Sequence, residues 1–120
     1  MGKHVLLIED EPNIIEAIRF ILSRDGWRVD VHSDGGDAVD QISSRAPDVV
    51  ILDVMLPGRN GYDILTDLRG RGLSVPVLML TARGQTRDRE EAIRAGANRF
   101  MTKPFSNAAM LDAVRALGAA

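Results

Sequence analysis

Apolar residues in this chain alternate between short continuous runs and longer segments in which they recur every three or four positions. Continuous runs are typical of buried β-strands, and the longer spacing is typical of amphipathic α-helices. A helix-like segment follows each strand-like run, so the pattern indicates an α/β domain with a parallel sheet. The five predicted strands are Val5–Ile8, Trp27–Val31, Val49–Leu52, Val77–Leu80 and Asn98–Thr102.

The predicted helices are recognised by their apolar faces and by the residues at their ends. The first begins at Pro12, where a missing N–H is harmless, and ends before Gly26. Short connections rich in Gly, Pro, Asn and Asp leave no linker or repeat, so we expect residues 1–120 to form a single domain. In chain order, the five apolar faces consist of Ile14, Ile15, Ile18, Ile21 and Leu22; Ala38, Val39 and Ile42; Ile64, Leu65 and Leu68; Ala92, Ile93 and Ala95; and Met110, Leu111, Val114 and Leu117.

The strand order follows from the apolar content of each strand. Strands 1, 3 and 4 are continuously apolar, as expected of strands covered by helices on both faces. Strand 2 alternates apolar and polar residues, and strand 5 offers only Phe100 and Met101, so these two are predicted edges. With right-handed crossovers the order is 2-1-3-4-5, which is the doubly wound, flavodoxin-like arrangement. Its ligand crevice lies at the carboxyl ends of strands 1 and 3.

Composition and charge exclude several classes of function. The 120 residues contain no cysteine, so a disulfide framework and a thiolate metal site are both excluded, and the cytoplasm is the expected location. Fifteen basic and seventeen acidic residues, without a basic stripe, argue against direct nucleic-acid binding. No apolar run approaches the roughly 18 residues of a membrane span, so no membrane association is expected.

Polar residues follow four of the predicted strands, at the edge of the sheet where the crevice is expected. They are Glu9–Glu11, Asp53, Thr81–Ala82 and Lys103–Pro104. Clustered carboxylates without sulfur ligands suit a hard cation such as Mg²⁺. Lys103 adds a positive charge and Thr81 a hydroxyl donor, which are the groups needed to bind a tetrahedral anion beside that metal. The pattern therefore indicates a phosphoryl-binding site.

These residues resemble the receiver domains of two-component response regulators over about Val5 to Leu117. The resemblance is carried by Glu9-Asp10, Asp53-x-Met-x-Leu-Pro-Gly, Thr81-Ala82 and Lys103-Pro104-Phe105, each after the expected strand. It implies that Asp53 is the nucleophile that takes a phosphoryl group from the phosphohistidine of a sensor histidine kinase or a phosphotransfer protein. It also implies that the domain is a signalling switch that promotes its own phosphorylation and dephosphorylation.

The resemblance assigns a role to each residue of the crevice. Asp10, Asp53 and the backbone carbonyl of Met55 would ligate Mg²⁺, for which Mn²⁺ can substitute, and Glu9 would act through water. Thr81 and the Ala82 N–H would bind phosphoryl oxygens, and Lys103 would form an ion pair with them. The Lys103-Pro104 peptide bond is expected to be cis. Met55 and Arg83 would lie beside the water that attacks the phosphorylated aspartate.

Signal output is expected through a switch. When Asp53 is phosphorylated, Thr81 would move toward the phosphoryl group and Phe100 would turn inward into the space. The surface of helix 4, strand 5 and helix 5 would then change, and an output domain or a second copy of the chain could bind there.

Three alternative functions were compared with the residues of the crevice. An aspartyl phosphatase usually has a second acid two residues after the first, and this chain has Met55 there. In a flavodoxin, the second alternative, the phosphate of the flavin binds after strand 1, where the acidic residues of this chain would repel it. A third reading is a receiver-like domain that only docks partners, but every residue that phosphorylation needs is present. Glu11 is expected to be a residue of the helix start, and His4 and His32 are expected to be structural.

Overall fold

A computed structural model describes residues 3–82 and 86–119 of the chain. Five parallel strands form one sheet in the order β2-β1-β3-β4-β5, as predicted. The central strands β1, β3 and β4 are completely buried, whereas the edge strands are partly exposed, because each edge strand has a neighbour on one side only. The strands are β1 His4–Ile8, β2 Arg28–His32, β3 Val49–Asp53, β4 Val77–Thr81 and β5 Arg99–Thr102.

A helix follows each strand and covers one face of the sheet. The helices are α1 Pro12–Arg24, α2 Ala38–Arg45, α3 Gly61–Gly70, α4 Thr86–Ala95 and α5 Asn107–Gly118. The first begins at Pro12, and the turn after it contains Gly26 with a φ of 87°, a conformation that glycine adopts readily. Among the residues described, no helix is both long and apolar enough to cross a membrane.

The sheet separates two apolar cores because successive side chains of a strand point to opposite faces. Leu6 and Ile8 of β1 pack with α2, α3 and α4, whereas Val5 and Leu7 pack with α1 and α5. All four of these apolar side chains are fully buried. This two-sided covering explains why the central strands have continuous apolar sequences.

The predicted elements differ from the structure in small ways. Strand β2 begins at Arg28, one residue after the predicted start, and Trp27 packs as a core side chain beside the strand. The assignment of Ile93 to the apolar face of α4 was wrong, because its side chain is 51% exposed. Ala92 is fully buried, and Ile93 lies about 100° further around the helix, toward solvent.

Candidate functional site

Two carboxylates are buried side by side where β1 and β3 end. The strands pair in parallel, with Ile8 opposite Leu52, so the next residues, Glu9 and Asp53, lie at the same edge of the sheet. Glu9 is completely buried and Asp53 is 2% exposed. The exposed Asp10 completes the group, and one carboxylate oxygen from each of the three residues lies within 4.8 Å of the others.

Lys103 extends from the end of β5 into this acidic cluster. Its Nζ lies 2.9 Å from Glu9 Oε1, 3.0 Å from Glu11 Oε1 and 3.4 Å from Asp53 Oδ1. The Lys103 backbone N–H donates to the Thr81 carbonyl at 2.8 Å, which fastens the end of β5 to β4. The Lys103-Pro104 peptide bond is cis, as predicted.

The Glu9 carboxylate is held in place by the backbone that follows it. Its Oε2 accepts hydrogen bonds from the N–H groups of Asp10 and Glu11, at 3.1 and 3.2 Å. Its Oε1 faces Lys103. These contacts orient one carboxylate oxygen toward the crevice before any ligand binds.

The charges of the site alter the proton affinity of two groups. Burial, followed by the charge of Glu9, raises the pKa of Asp53 to about 7, although Lys103 opposes this change. Burial lowers the pKa of Lys103, but hydrogen bonds to Glu9 and Glu11, together with the charge of Asp53, outweigh it and raise that pKa above its usual value. Lys103 therefore remains charged, and negative charge is in excess around it.

The donor set of this cluster fits a hard divalent cation. The carboxylates of Glu9, Asp10 and Asp53 offer only oxygen ligands, the type that Mg²⁺ prefers. The three carboxylates of Glu9, Glu11 and Asp53 lie within hydrogen-bond or ion-pair distance of the single positive charge of Lys103, and Asp10 adds a fourth acid beside Glu9 and Asp53. A divalent cation would offset this excess of negative charge.

The remaining predicted site residues lie on β4 and β5 and in the connections that follow β3 and β4. Thr81 is 3% exposed at the end of β4, and the exposed Ala82 follows it. Met55 lies two residues after Asp53, and its side chain is 73% exposed. Phe100 is half-buried on β5, with the Arg89 guanidinium 5.9 Å from the centre of its ring. Arg83 lies outside the described residues.

Sequence reasoning missed the contribution of Glu11. As predicted, Glu11 occupies the N-cap position of α1, but its side chain makes no capping hydrogen bond. The carboxylate turns instead to Lys103, at 3.0 Å. The only sequence signal is its place directly after Glu9-Asp10, which a helix start explains equally well.

Both histidines lie close to aspartates. His4 is the first residue of β1, at the edge of the sheet opposite the crevice, and its Nε2 lies 2.6 Å from Oδ2 of Asp30 in the middle of β2. His32 Nε2 lies 2.6 Å from Asp37 Oδ1, just before α2. Both histidine side chains thus contact aspartates outside the acidic group of Glu9, Asp10 and Asp53.

Comparison with known proteins identifies the class. The family model of the response regulator receiver domain matches residues 5–115. The chain therefore belongs to the receiver domains of two-component response regulators, as its sequence motifs predicted. These are signalling domains, so the chain is a signalling domain and not a metabolic enzyme.

Individual relatives agree with this assignment. The chain is 40% identical over 111 residues to the transcriptional regulatory protein DltR of Streptococcus agalactiae, covering 92% of this chain and 50% of DltR. It is 38% identical over 117 residues to the response regulator MprA of Mycobacterium tuberculosis, covering 98% of this chain and 51% of MprA. The chain thus spans about half the length of these relatives. The receiver domain of the Francisella response regulator 1452 superimposes with a TM-score of 0.94 at 29% identity, covering 98% of each chain.

Proposed function

We propose that this receiver domain accepts a phosphoryl group on Asp53 from the phosphohistidine of a sensor histidine kinase or a phosphotransfer protein. The observation that supports this most strongly is the burial of Asp53 beside Glu9 and Lys103 at the crevice between β1 and β3. No helix begins at Asp53, since α3 starts only at Gly61, so helix capping does not account for its position.

In the proposed reaction the Asp53 carboxylate attacks the phosphorus atom. A carboxylate oxygen forms the new O–P bond while the P–N bond to the histidine breaks, and the imidazole nitrogen keeps the electron pair. An ionised carboxylate is already a nucleophile, so the transfer needs no general base. Lys103, whose Nζ lies 3.4 Å from Asp53 Oδ1, would pair with the phosphoryl oxygens, and Thr81 and the Ala82 N–H would donate to them.

Glu9, Asp10, Asp53 and the Met55 carbonyl would hold Mg²⁺, or Mn²⁺ in its place. When bound, the cation supplies positive charge that offsets the charge of the transferring group. The same positive charge near Asp53 would favour its ionised, nucleophilic form. Hydrolysis of the phosphorylated aspartate would reset the domain, with Met55 beside the incoming water.

The output surface would be formed by α4, β5 and α5. A groove of about 400 Å³ lies there, lined by residues that include Ile93, Arg99 and Phe100. Inward rotation of Phe100 after movement of Thr81 would change the shape of this groove. We propose that an output domain or a second copy of the chain binds there in the cytoplasm. The name of DltR, a transcriptional regulatory protein, supports an output in gene regulation.

Mass spectrometry after incubation with acetyl phosphate and Mg²⁺ tests the phosphorylation site. The wild-type chain should gain the mass of one phosphoryl group. Asp53→Asn should gain none, while the matched exposed-acid variant Asp40→Asn should behave as wild type. An undiminished mass gain in Asp53→Asn would contradict the assignment of Asp53 as the phosphorylation site.

Amide NMR spectra with and without beryllofluoride, a phosphoryl mimic, test the switch. Thr81→Ala should keep Asp53 phosphorylatable but weaken the shift changes across α4, β5 and α5. Phe100→Ala should weaken them by removing the moving ring. If Phe100→Ala keeps the full wild-type pattern, the aromatic ring serves packing only, and the signal runs by another route.

A further inference from the structure

The connection between β3 and α3, residues 54–60, contains Met55, whose carbonyl is a proposed metal ligand. Because the Met55 side chain is 73% exposed, the backbone of this connection must be held by other contacts. At its base, the Val54 N–H donates to the Leu80 carbonyl at 2.9 Å, and the Gly61 N–H donates to the Val54 carbonyl at 2.8 Å. The first end of the connection is therefore bonded to β4, and the second end is bonded to the first.

The middle of the β3–α3 connection rests on the loop between β2 and α2. The N–H of the buried Gly35 donates to the Pro57 carbonyl at 2.9 Å. A Cβ at Gly35 would lie 2.3 Å from the Arg59 carbonyl oxygen, a distance that only a backbone shift could relieve. The two loops thus pack backbone against backbone, and the missing side chain of Gly35 allows this.

Further contacts surround this packing. The carboxylate of Asp34 accepts a hydrogen bond from the Gly36 N–H at 2.6 Å and lies 2.7 Å from the position of a Cβ on Gly58. Gly58 has a φ of 84°, in the left-handed region. On the outer side, Arg59 Nη1 lies 2.9 Å from Asp67 Oδ2 of α3. The β3–α3 connection is therefore fixed between two neighbouring elements.

We propose that Gly35 is a positioning residue of the metal site, although it belongs to another loop and contributes no ligand. By allowing the close approach to Pro57 and Arg59, it sets the position of the backbone that carries the Met55 carbonyl. This inference rests on the proposed function, since it assumes that this carbonyl binds Mg²⁺. Mutation of groups that orient metal ligands typically lowers metal affinity by about 10–100-fold.

The test compares Gly35→Ala with Gly36→Ala, the same change one residue further along the same loop. Gly36 is exposed, and the nearest atom to its added Cβ is the Asp34 carboxylate oxygen at 3.0 Å. The Kd for Mg²⁺, measured by titration calorimetry, should rise about tenfold in Gly35→Ala and less than about twofold in Gly36→Ala. In EDTA, the amide NMR signals of Met55 and Gly58 should move in Gly35→Ala only.

The outcomes separate this inference from the proposed function. A wild-type chain that fails to bind Mg²⁺, or an Asp10→Ala variant that binds it unchanged, would contradict the proposed metal site itself. A different result would overturn the positioning role alone. In that case wild type binds Mg²⁺, Asp10→Ala does not, and Gly35→Ala binds it with an unchanged Kd. A lower unfolding free energy in Gly35→Ala at unchanged Kd would assign Gly35 to folding only.

A milder variant decides the question if Gly35→Ala does not fold. Asp34→Ala removes the carboxylate that bonds Gly36 and contacts Gly58, and Asp40→Ala is its control for the loss of one exposed charge. We expect the Kd for Mg²⁺ to rise about threefold more in Asp34→Ala than in Asp40→Ala. Equal Kd values in the two variants would overturn the inference.

Discussion

Replacing Asp53 with asparagine should stabilise the metal-free protein, and the gain should grow with pH. The pKa of Asp53 is raised from its ordinary value of 3.8 to about 7, first by burial and then by the charge of Glu9. An acid with a raised folded-state pKa binds more protons in the folded chain than in the unfolded one, so folding stability falls as pH rises between the two values. Asparagine keeps the shape without this penalty.

The size of the effect follows from the two pKa values. One pH unit between them corresponds to about 1.4 kcal/mol, so the full penalty, reached above pH 7, is about 4 kcal/mol. At pH 5 the folded carboxyl is mostly protonated, and the penalty falls to about 2 kcal/mol. Asp53 is only 2% exposed, so solvent screens these interactions little. Lys103 loses one partner in the variant but keeps Glu9 and Glu11.

Urea unfolding followed by far-UV circular dichroism, in EDTA, measures the effect at pH 5 and pH 8. The unfolding free energy of Asp53→Asn should exceed that of wild type by about 4 kcal/mol at pH 8 and about 2 kcal/mol at pH 5. Asp40→Asn, an exposed acid on α2, should stay within about 0.5 kcal/mol of wild type at both values. A gain that does not change with pH, or a loss at pH 8, would refute the reasoning.

Four further predictions concern the metal, the core, the half-buried Arg69 and the fluorescence of Trp27. Mg²⁺ at about tenfold excess over Kd should stabilise wild type by about 1.4 kcal/mol and Asp10→Ala much less, as a thermal shift would show. Leu68→Ala should cost about 2–5 kcal/mol in urea unfolding, because its fully buried side chain packs against β3. Arg69→Met should speed amide hydrogen exchange around Gly96, whose carbonyl accepts from Arg69 Nε at 3.0 Å. Fluorescence of Trp27, at the edge of the sheet opposite the crevice, should respond little to Mn²⁺, and strong quenching would contradict the direction of β2.

Much of the fold could be predicted because local patterns report burial. Helices on both faces of a parallel sheet require continuous apolar strands in the centre, and β1, β3 and β4 show this pattern. Strands 2 and 5 have less continuous apolar sequences, so they were predicted as edges, and right-handed crossovers then left one strand order. Ile93 was misplaced because periodicity defines a helix face only to within about one residue, and the packing of α4 decided which side faces solvent.

The sequence by itself determined which residues follow which strand, and parallel strands bring those ends to one edge, so Glu9, Asp53, Thr81 and Lys103 could be named in advance. Only the tertiary structure decided contacts that carry no local pattern. The sequence pattern indicates only that Glu11 begins a helix, yet its carboxylate forms an ion pair with Lys103, 92 residues later in the chain. The sequence pattern indicates only that Gly35 belongs to a turn, but the fold brings the Arg59 carbonyl oxygen to within 2.3 Å of the position that a Cβ on Gly35 would occupy. Such contacts depend on distances between elements, and these are set only when the helices pack on the sheet.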